Sequence, residues 1–152
     1  MKLALNLPPA RFRIERKGGE VQIYCRLRQK SVALTPEEWV RQHFVEMLIS
    51  QLGYPAGLMA NEVSLKLNKL QRRADTVVYD HSGRPLMIAE YKAPGVEVTQ
   101  KTFNQILRYY IALRAKYLVV SNGLQHYCCR ITGPEDAPTL EFLNAIPPYN
   151  QL

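Results

Sequence analysis

A chain of 152 residues with 47% hydrophobic and 22% charged residues can bury one core. No apolar run approaches the roughly 20 residues of a membrane span, and Pro8-Pro9 cuts the first apolar run too early for a secretory leader. Twenty Lys and Arg against 13 Asp and Glu give a charge of +7, which favours anionic partners, nucleic acid first. The odd cysteine count, with Cys25 apart from the adjacent Cys128 and Cys129, excludes a disulfide framework and suits a reducing, cytoplasmic compartment.

Residues 1–20 read as irregular, punctuated by Pro8-Pro9 and Gly18-Gly19, and carry a basic group of Arg11, Arg13, Arg16 and Lys17. Residues 21–28 alternate like a strand, and Ser31 to Leu34 pairs with them as a hairpin. Thr35-Pro36-Glu37-Glu38 starts a helix: Thr35 caps, Pro36 suits the first position, and Glu38 completes a capping box. That helix runs to Leu52, stopped by Gly53-Tyr54-Pro55, with an apolar stripe of Val40, Phe44, Met47 and Leu48. Of its acids, Glu38 shares a side with Val45, Ile49 and Leu52, whereas Glu46 falls on a wetter side, so Glu38 is the better ligand for a metal or water.

A strand over residues 62–67 is followed by Ala74-Asp75-Thr76-Val77-Val78-Tyr79, the turn-rich His81-Ser82-Gly83-Arg84-Pro85, and Leu86-Met87-Ile88-Ala89 leading to Glu90-Tyr91-Lys92. If Asp80 pairs with Pro85, Asp75 falls opposite Glu90, and Lys92 shares Glu90's face. Like charges so placed are destabilising unless something positive lies between them, and Mg²⁺ or Mn²⁺ suits hard oxygen ligands. Lys92 would orient a water or neutralise a phosphate. Acids and lysines at strand ends also commonly just face water, so the apolar setting of this triad is what points to phosphodiester cleavage. A basic group of Lys66, Lys69, Arg72 and Arg73 precedes Asp75, where a phosphate backbone would lie.

Thr99 to Arg114 reads as a second helix with Phe103, Ile106, Leu107 and Tyr110 facing a core, and with Gln105 and Tyr109 one turn apart beside it. Both could contact phosphate or base edges. Residues 117–120 form an apolar strand, Ser121-Asn122-Gly123 a turn, and residues 126–131 another strand; residues 133–138 are a loop before a tail. The order predicts an α/β fold, a mixed central sheet flanked by helices. The expected divisions are 1–34, an N-terminal extension; 35–132, the core; and 133–152, a tail packing on it. His43, His81 and His126 sit in no metal-ligand spacing. There is no phosphate-binding G-x-x-x-x-G-K-[ST] loop, no dinucleotide fingerprint and no G-x-S-x-G elbow, so no nucleotide cofactor is expected.

Taken together, Glu38, Asp75, Glu90-x-Lys92 and Gln105-x-x-x-Tyr109 resemble the PD-(D/E)xK nuclease superfamily. Thr35-Pro36-Glu37-Glu38-Trp39-Val40-Arg41, Arg72-Arg73-Ala74-Asp75, Ala89-Glu90-Tyr91-Lys92-Ala93-Pro94 and Ser121-Asn122-Gly123 resemble, more narrowly, the N-terminal nuclease domain of type I restriction enzyme R subunits. The resemblance spans residues 35–125. It implies a restriction-endonuclease-like core in which Asp75 and Glu90 hold Mg²⁺, Lys92 positions the attacking water, and Glu38 supports metal or water. Gln105, Tyr109, Arg72 and Arg73 would contact DNA. Ala74 stands where the superfamily name has proline, and the ATP-driven motor of type I R subunits does not follow. Separate motor or specificity subunits are therefore expected partners, and a homodimer would make double-strand cutting easiest. The other expectation is a weakly active or inactive nucleic-acid-binding or assembly module of the same fold.

Overall fold

The computed structural model describes residues 3–67 and 70–152. Lys69 of the second basic group and the side chain of Tyr110 lie outside the described residues. An antiparallel three-stranded sheet comes first, in the order β1 (Ile14–Lys17), β2 (Glu20–Cys25) and β3 (Lys30–Ala33). Helix α1 (Pro36–Leu52) follows. The main sheet then has β4 (Met59–Leu67), β5 (Leu70–Tyr79), β6 (Pro85–Tyr91), β7 (Tyr117–Ser121), β8 (His126–Thr132) and β9 (Thr139–Leu143), side by side in chain order. Helix α2 (Gln100–Leu113) crosses from β6 to β7, the one parallel pair of the sheet; a crossover helix is what such a pair needs.

The Thr35 half of the expected capping box forms, but the Glu38 carboxylate turns to Arg28, Arg41 and Gln42 instead of back to the Thr35 N–H. Thr35 Oγ1 accepts the Glu38 backbone N–H at 3.0 Å, Pro36 occupies the first turn, and Gly53 closes the helix in the left-handed region at φ 73°. Val40, Phe44, Val45 and Leu48 pack against Val78, Met87, Ala89, Tyr91 and Val119 on one face of the main sheet. Phe103, Ile106 and Tyr109 of α2 cover Val77, Ile88, Leu118 and Val120 on the other. Each fully buried aliphatic or Phe side chain contributes about 1.5–3 kcal/mol, so both faces are firmly seated. β6 and β7 lie between the two layers, which explains their near-continuous burial.

Two strands depart from the sequence reading. Residues 14–17 form β1, within the stretch that Pro8-Pro9 and Gly18-Gly19 had suggested was irregular; an edge strand tolerates the exposure of its three consecutive charged residues. Residues 139–143 form β9, paired to β8 from Thr132↔Thr139 to Cys128↔Leu143, where a tail without a strand was expected. The hairpin arithmetic holds in the body of β5 and β6: Thr76 faces Ala89, Val77 faces Ile88, and Val78 faces Met87. Near the turn the register slips by one, so that Tyr79, not Asp80, is the residue that pairs with Pro85.

Candidate active site

Asp75 and Glu90 sit where the continuing register of β5 and β6 puts them opposite each other, 9% and 6% exposed. The Tyr91 backbone N–H donates to Asp75 Oδ2 at 2.8 Å, so the neighbouring strand fixes the orientation of that carboxylate. Glu90 Oε2 is buried and has no hydrogen-bond partner among the described residues. Burial, then the charge of Asp75, raises the Glu90 carboxyl well above its ordinary range, against a smaller opposing pull from Lys92. Burial also raises Asp75, although the Tyr91 N–H and Arg41 oppose it. Each acid thus disfavours the charge of the other, as two crowded carboxylates do.

Lys92 lies one residue past β6. Its backbone N–H donates to the Ser121 carbonyl at 2.9 Å, extending the parallel ladder and keeping the half-buried side chain on the Glu90 side. The turn after β7 secures the next segment: Asn122 Nδ2 donates to the Val96 carbonyl, while Asn122 Oδ1 accepts the N–H groups of Leu124 and Gln125. The Ser121-Asn122-Gly123 motif thus works as a clamp on the loop that follows Lys92.

From α2, Tyr109 is 3% exposed and is raised by burial, then by the Glu90 charge; a hydrogen bond from Gln105 opposes this, and Asp75 and Arg72 also act on it. Gln105, itself exposed, and Arg72 thus lie within reach of Tyr109. Arg73, also exposed, pairs with Ser64 along the β4–β5 ribbon.

Glu38 is placed elsewhere than the metal-ligand expectation puts it. Both of its oxygens accept from Arg28 Nη2 at 2.7 Å, Oε1 also accepts from Arg41 Nη2 at 2.9 Å, and Oε2 accepts from Arg41 Nε and Gln42 Nε2. Burial would raise its carboxyl, but these donors outweigh burial and hold it below the usual range. No group of three or more Asp, Glu, His or Cys able to hold a metal occurs among the described residues, so Glu38 does not join Asp75 and Glu90 as a third ligand. The helix acid that acts on the pair is Glu37, whose charge raises both carboxyls.

Arg41 is the residue that sequence reading passed over. Its Nη1 donates to the Asp75 carbonyl at 3.1 Å and lies 3.9 Å from Asp75 Oδ1, while its Nη2 meets Glu62 at 2.7 Å. Glu62, across from Asp75 in β4, has a φ of 59° and drops out of the regular pairing between Asn61↔Thr76 and Val63↔Ala74. The signal was available: Arg41 stands three residues after Glu38, on the same helix face.

A mixed sheet flanked by helices, with two opposed acids and a lysine at the end of adjacent central strands, defines an α/β protein compatible with a restriction-endonuclease-like core. The chain belongs to the family described as type I restriction enzyme R protein N terminus (HSDR_N), which matches residues 36–147. That membership brings restriction-modification and nuclease-like function with it in general terms. A search of curated proteins returned no match. No helix among the described residues is long and apolar enough to cross a membrane.

Proposed function

We propose that this chain is a metal-dependent endonuclease that hydrolyses phosphodiester bonds of DNA. The observation that carries the reading is the partnerless, buried Glu90 Oε2 held opposite Asp75. Burying an acid beside another acid is costly unless a cation takes up the free lone pairs. Asp75 and Glu90 fit Mg²⁺ or Mn²⁺ as oxygen donors, and a cation bound there would supply Lewis-acid polarisation and a more acidic water.

The protein's own groups do the rest. The Tyr91 N–H keeps Asp75 aimed, and with Arg41 it offsets part of the burial that disfavours the Asp75 charge. Lys92 places a positive charge beside Glu90, where it offsets phosphate charge and orients the attacking water. The water oxygen forms a new P–O bond and gives up a proton to solvent, the scissile P–O bond breaks, and the leaving oxygen takes a proton from solvent. Gln105, Tyr109 and Arg72 border the site and contact the DNA strand. Glu37, exposed at the first turn of α1, takes the supporting role at the metal or its water that sequence reading gave to Glu38. The site itself calls for no nucleotide, and motor or specificity subunits are proposed partners.

One observation favours a second reading. With Glu38 consumed by two guanidinium groups, the acid pair has few protein ligands, as a weakly active binding or assembly module would. Cleavage of supercoiled and linear DNA, with Mg²⁺, Mn²⁺ or EDTA, separates the two. The nuclease reading expects metal-dependent nicking that is abolished by EDTA and lost in Lys92→Ala and Asp75→Ala. DNA binding without cleavage under any of these conditions would establish the module instead.

A further inference from the structure

Residues 1–35 hold eight Lys and Arg against two Asp and Glu; residues 36–152 hold twelve against eleven. Six of the seven net positive charges therefore lie before residue 36, where the family match begins. The remaining, nearly neutral part carries the acids Asp75, Glu90, Glu37 and Glu62 around one site, which repels the phosphate backbone that must approach it.

We infer that the N-terminal three-stranded sheet grips the phosphate backbone of duplex DNA beside the acid pair. All four residues of β1 are exposed, as are Arg11 and Arg13 just before it. Among the described residues, Arg11, Arg16 and Lys17 have no acidic partner within 4.0 Å, in contrast to Arg26 with Glu46 and Arg28 with Glu38. The guanidinium of Arg13 lies 4.5 Å from the ring centre of Tyr24, which holds it in place across the sheet.

The sheet is rigidly joined to the site. Arg28, in the β2–β3 turn, binds Glu38, one residue from Glu37. Phe12 stacks edge-on against Trp39 and His43 of the same helix end, and the Trp39 indole N–H donates to the Leu3 carbonyl. A cavity of about 310 Å³ opens there between Arg11, Phe12, Ile14 and Trp39. The basic edge is thus anchored on the first turns of α1, the helix that also sends Arg41 to Asp75. Because phosphate contacts carry no sequence information, this grip is sequence-independent.

The inference depends on DNA being the substrate, yet its test does not depend on cleavage. Binding of the full chain to a labelled duplex in EDTA is measured across a salt series. Each phosphate contact adds about 0.9 to the slope of log affinity against log salt. Arg11→Gln/Arg16→Gln/Lys17→Gln should flatten that slope by about 2.7, at 0.9 per contact, with thermal stability unchanged. Arg11→Lys/Arg16→Lys should retain the parent slope. Arg84→Gln/Lys116→Gln, which removes two charges at the opposite end of β6, should leave the slope near the parent value.

Charge on an edge strand also deters sheet-to-sheet aggregation, and that role alone would leave the slope of the triple variant unchanged, overturning the inference. An equal loss per charge in the Arg84/Lys116 control would also overturn it. So would binding to vesicles rich in phosphatidylserine without binding to the duplex. If the duplex is bound with the expected slope and nothing is cleaved in Mg²⁺, the nuclease reading fails and this one stands. Intact cleavage with unchanged binding by the triple variant gives the reverse.

Discussion

Two adjacent glutamates on one turn of α1 have opposite fates. Glu38 is 6% exposed and saturated by Arg28, Arg41 and Gln42, whereas Glu37 is exposed and acts on the acid pair through its charge. Removing the Glu38 charge leaves the half-buried Arg28 without its carboxylate and the buried Arg41 with only Glu62 and Asp75, a loss of about 3–5 kcal/mol. Glu38→Gln should therefore lower the thermal midpoint by about 10 °C, at roughly 2–4 °C per kcal/mol for a chain of this size. Glu37→Gln should leave the midpoint within a degree or two while reducing the cleavage rate. Thermal melts beside a nicking assay check both, and a Glu38→Gln protein that melts normally would return the metal-supporting role to Glu38.

The same carboxyls give pH dependences of opposite sign. Asp75 and Glu90 are raised in the folded state, so the stability they confer is full at pH below their unfolded values and is lost as pH rises. Glu38 is lowered, so its contribution is present above its unfolded value and is lost as pH falls. In EDTA, stability should therefore decline from mildly acidic pH towards alkaline pH, and Glu90→Gln should remove most of that decline. Mg²⁺ or Mn²⁺ should raise the midpoint most at the alkaline end, because cation and proton compete for the same oxygens. A midpoint insensitive to both cations at every pH would count against a two-acid metal site.

At the scale of elements, α1 is a buried strut more than a surface helix. Every residue from Glu38 to Val45 is buried, because the main sheet covers one side and the N-terminal segment covers another. Leu5 reaches across α1 towards the β7–β8 turn, where the Asn6 N–H donates to the Gly123 carbonyl at 2.7 Å. Gly123 has a φ of 84°, and a Cβ there would lie 2.7 Å from Leu5 Cδ2 and 3.0 Å from Val40 Cγ2. Gly123→Ala should cost about 1–3 kcal/mol through strain and displaced packing, read by chemical denaturation. Because the same turn holds the loop after Lys92, cleavage should weaken along with stability.

At the scale of the whole molecule, the mixed sheet, the order of most elements along the chain and the opposed acids were legible because alternation and turn chemistry are local signals. The spacing from Asp75 to Glu90 needed only the hairpin between them, and one residue of slippage near the turn left the opposition intact. The surroundings of Glu38 were not legible for a physical reason: helical periodicity reports that a side is buried but not what covers it. Its partner Arg28 comes from a turn ten residues upstream, which periodicity cannot place. β1 and β9 escaped because edge strands carry charge and exposure that mimic loops. Arg41 was visible as a helix neighbour of Glu38, but its reach to Asp75 is a long-range contact.

The β5–β6 hairpin has a consequence for the order of folding. Asp75 and Glu90 are joined by a short local connection, and hairpins close in microseconds. Arg41 must arrive from another element, and Lys92 is locked only when β7 docks in parallel through the α2 crossover, a slower non-local step. The two acids thus meet through the most local contact of the site, with Lys92 on the same strand end, whereas Arg41 reaches them from a separate element. Early closure works against like-charge repulsion, and protons or divalent cations would relieve it, making the site's occupant a participant in the folding reaction as well as in the chemistry that follows.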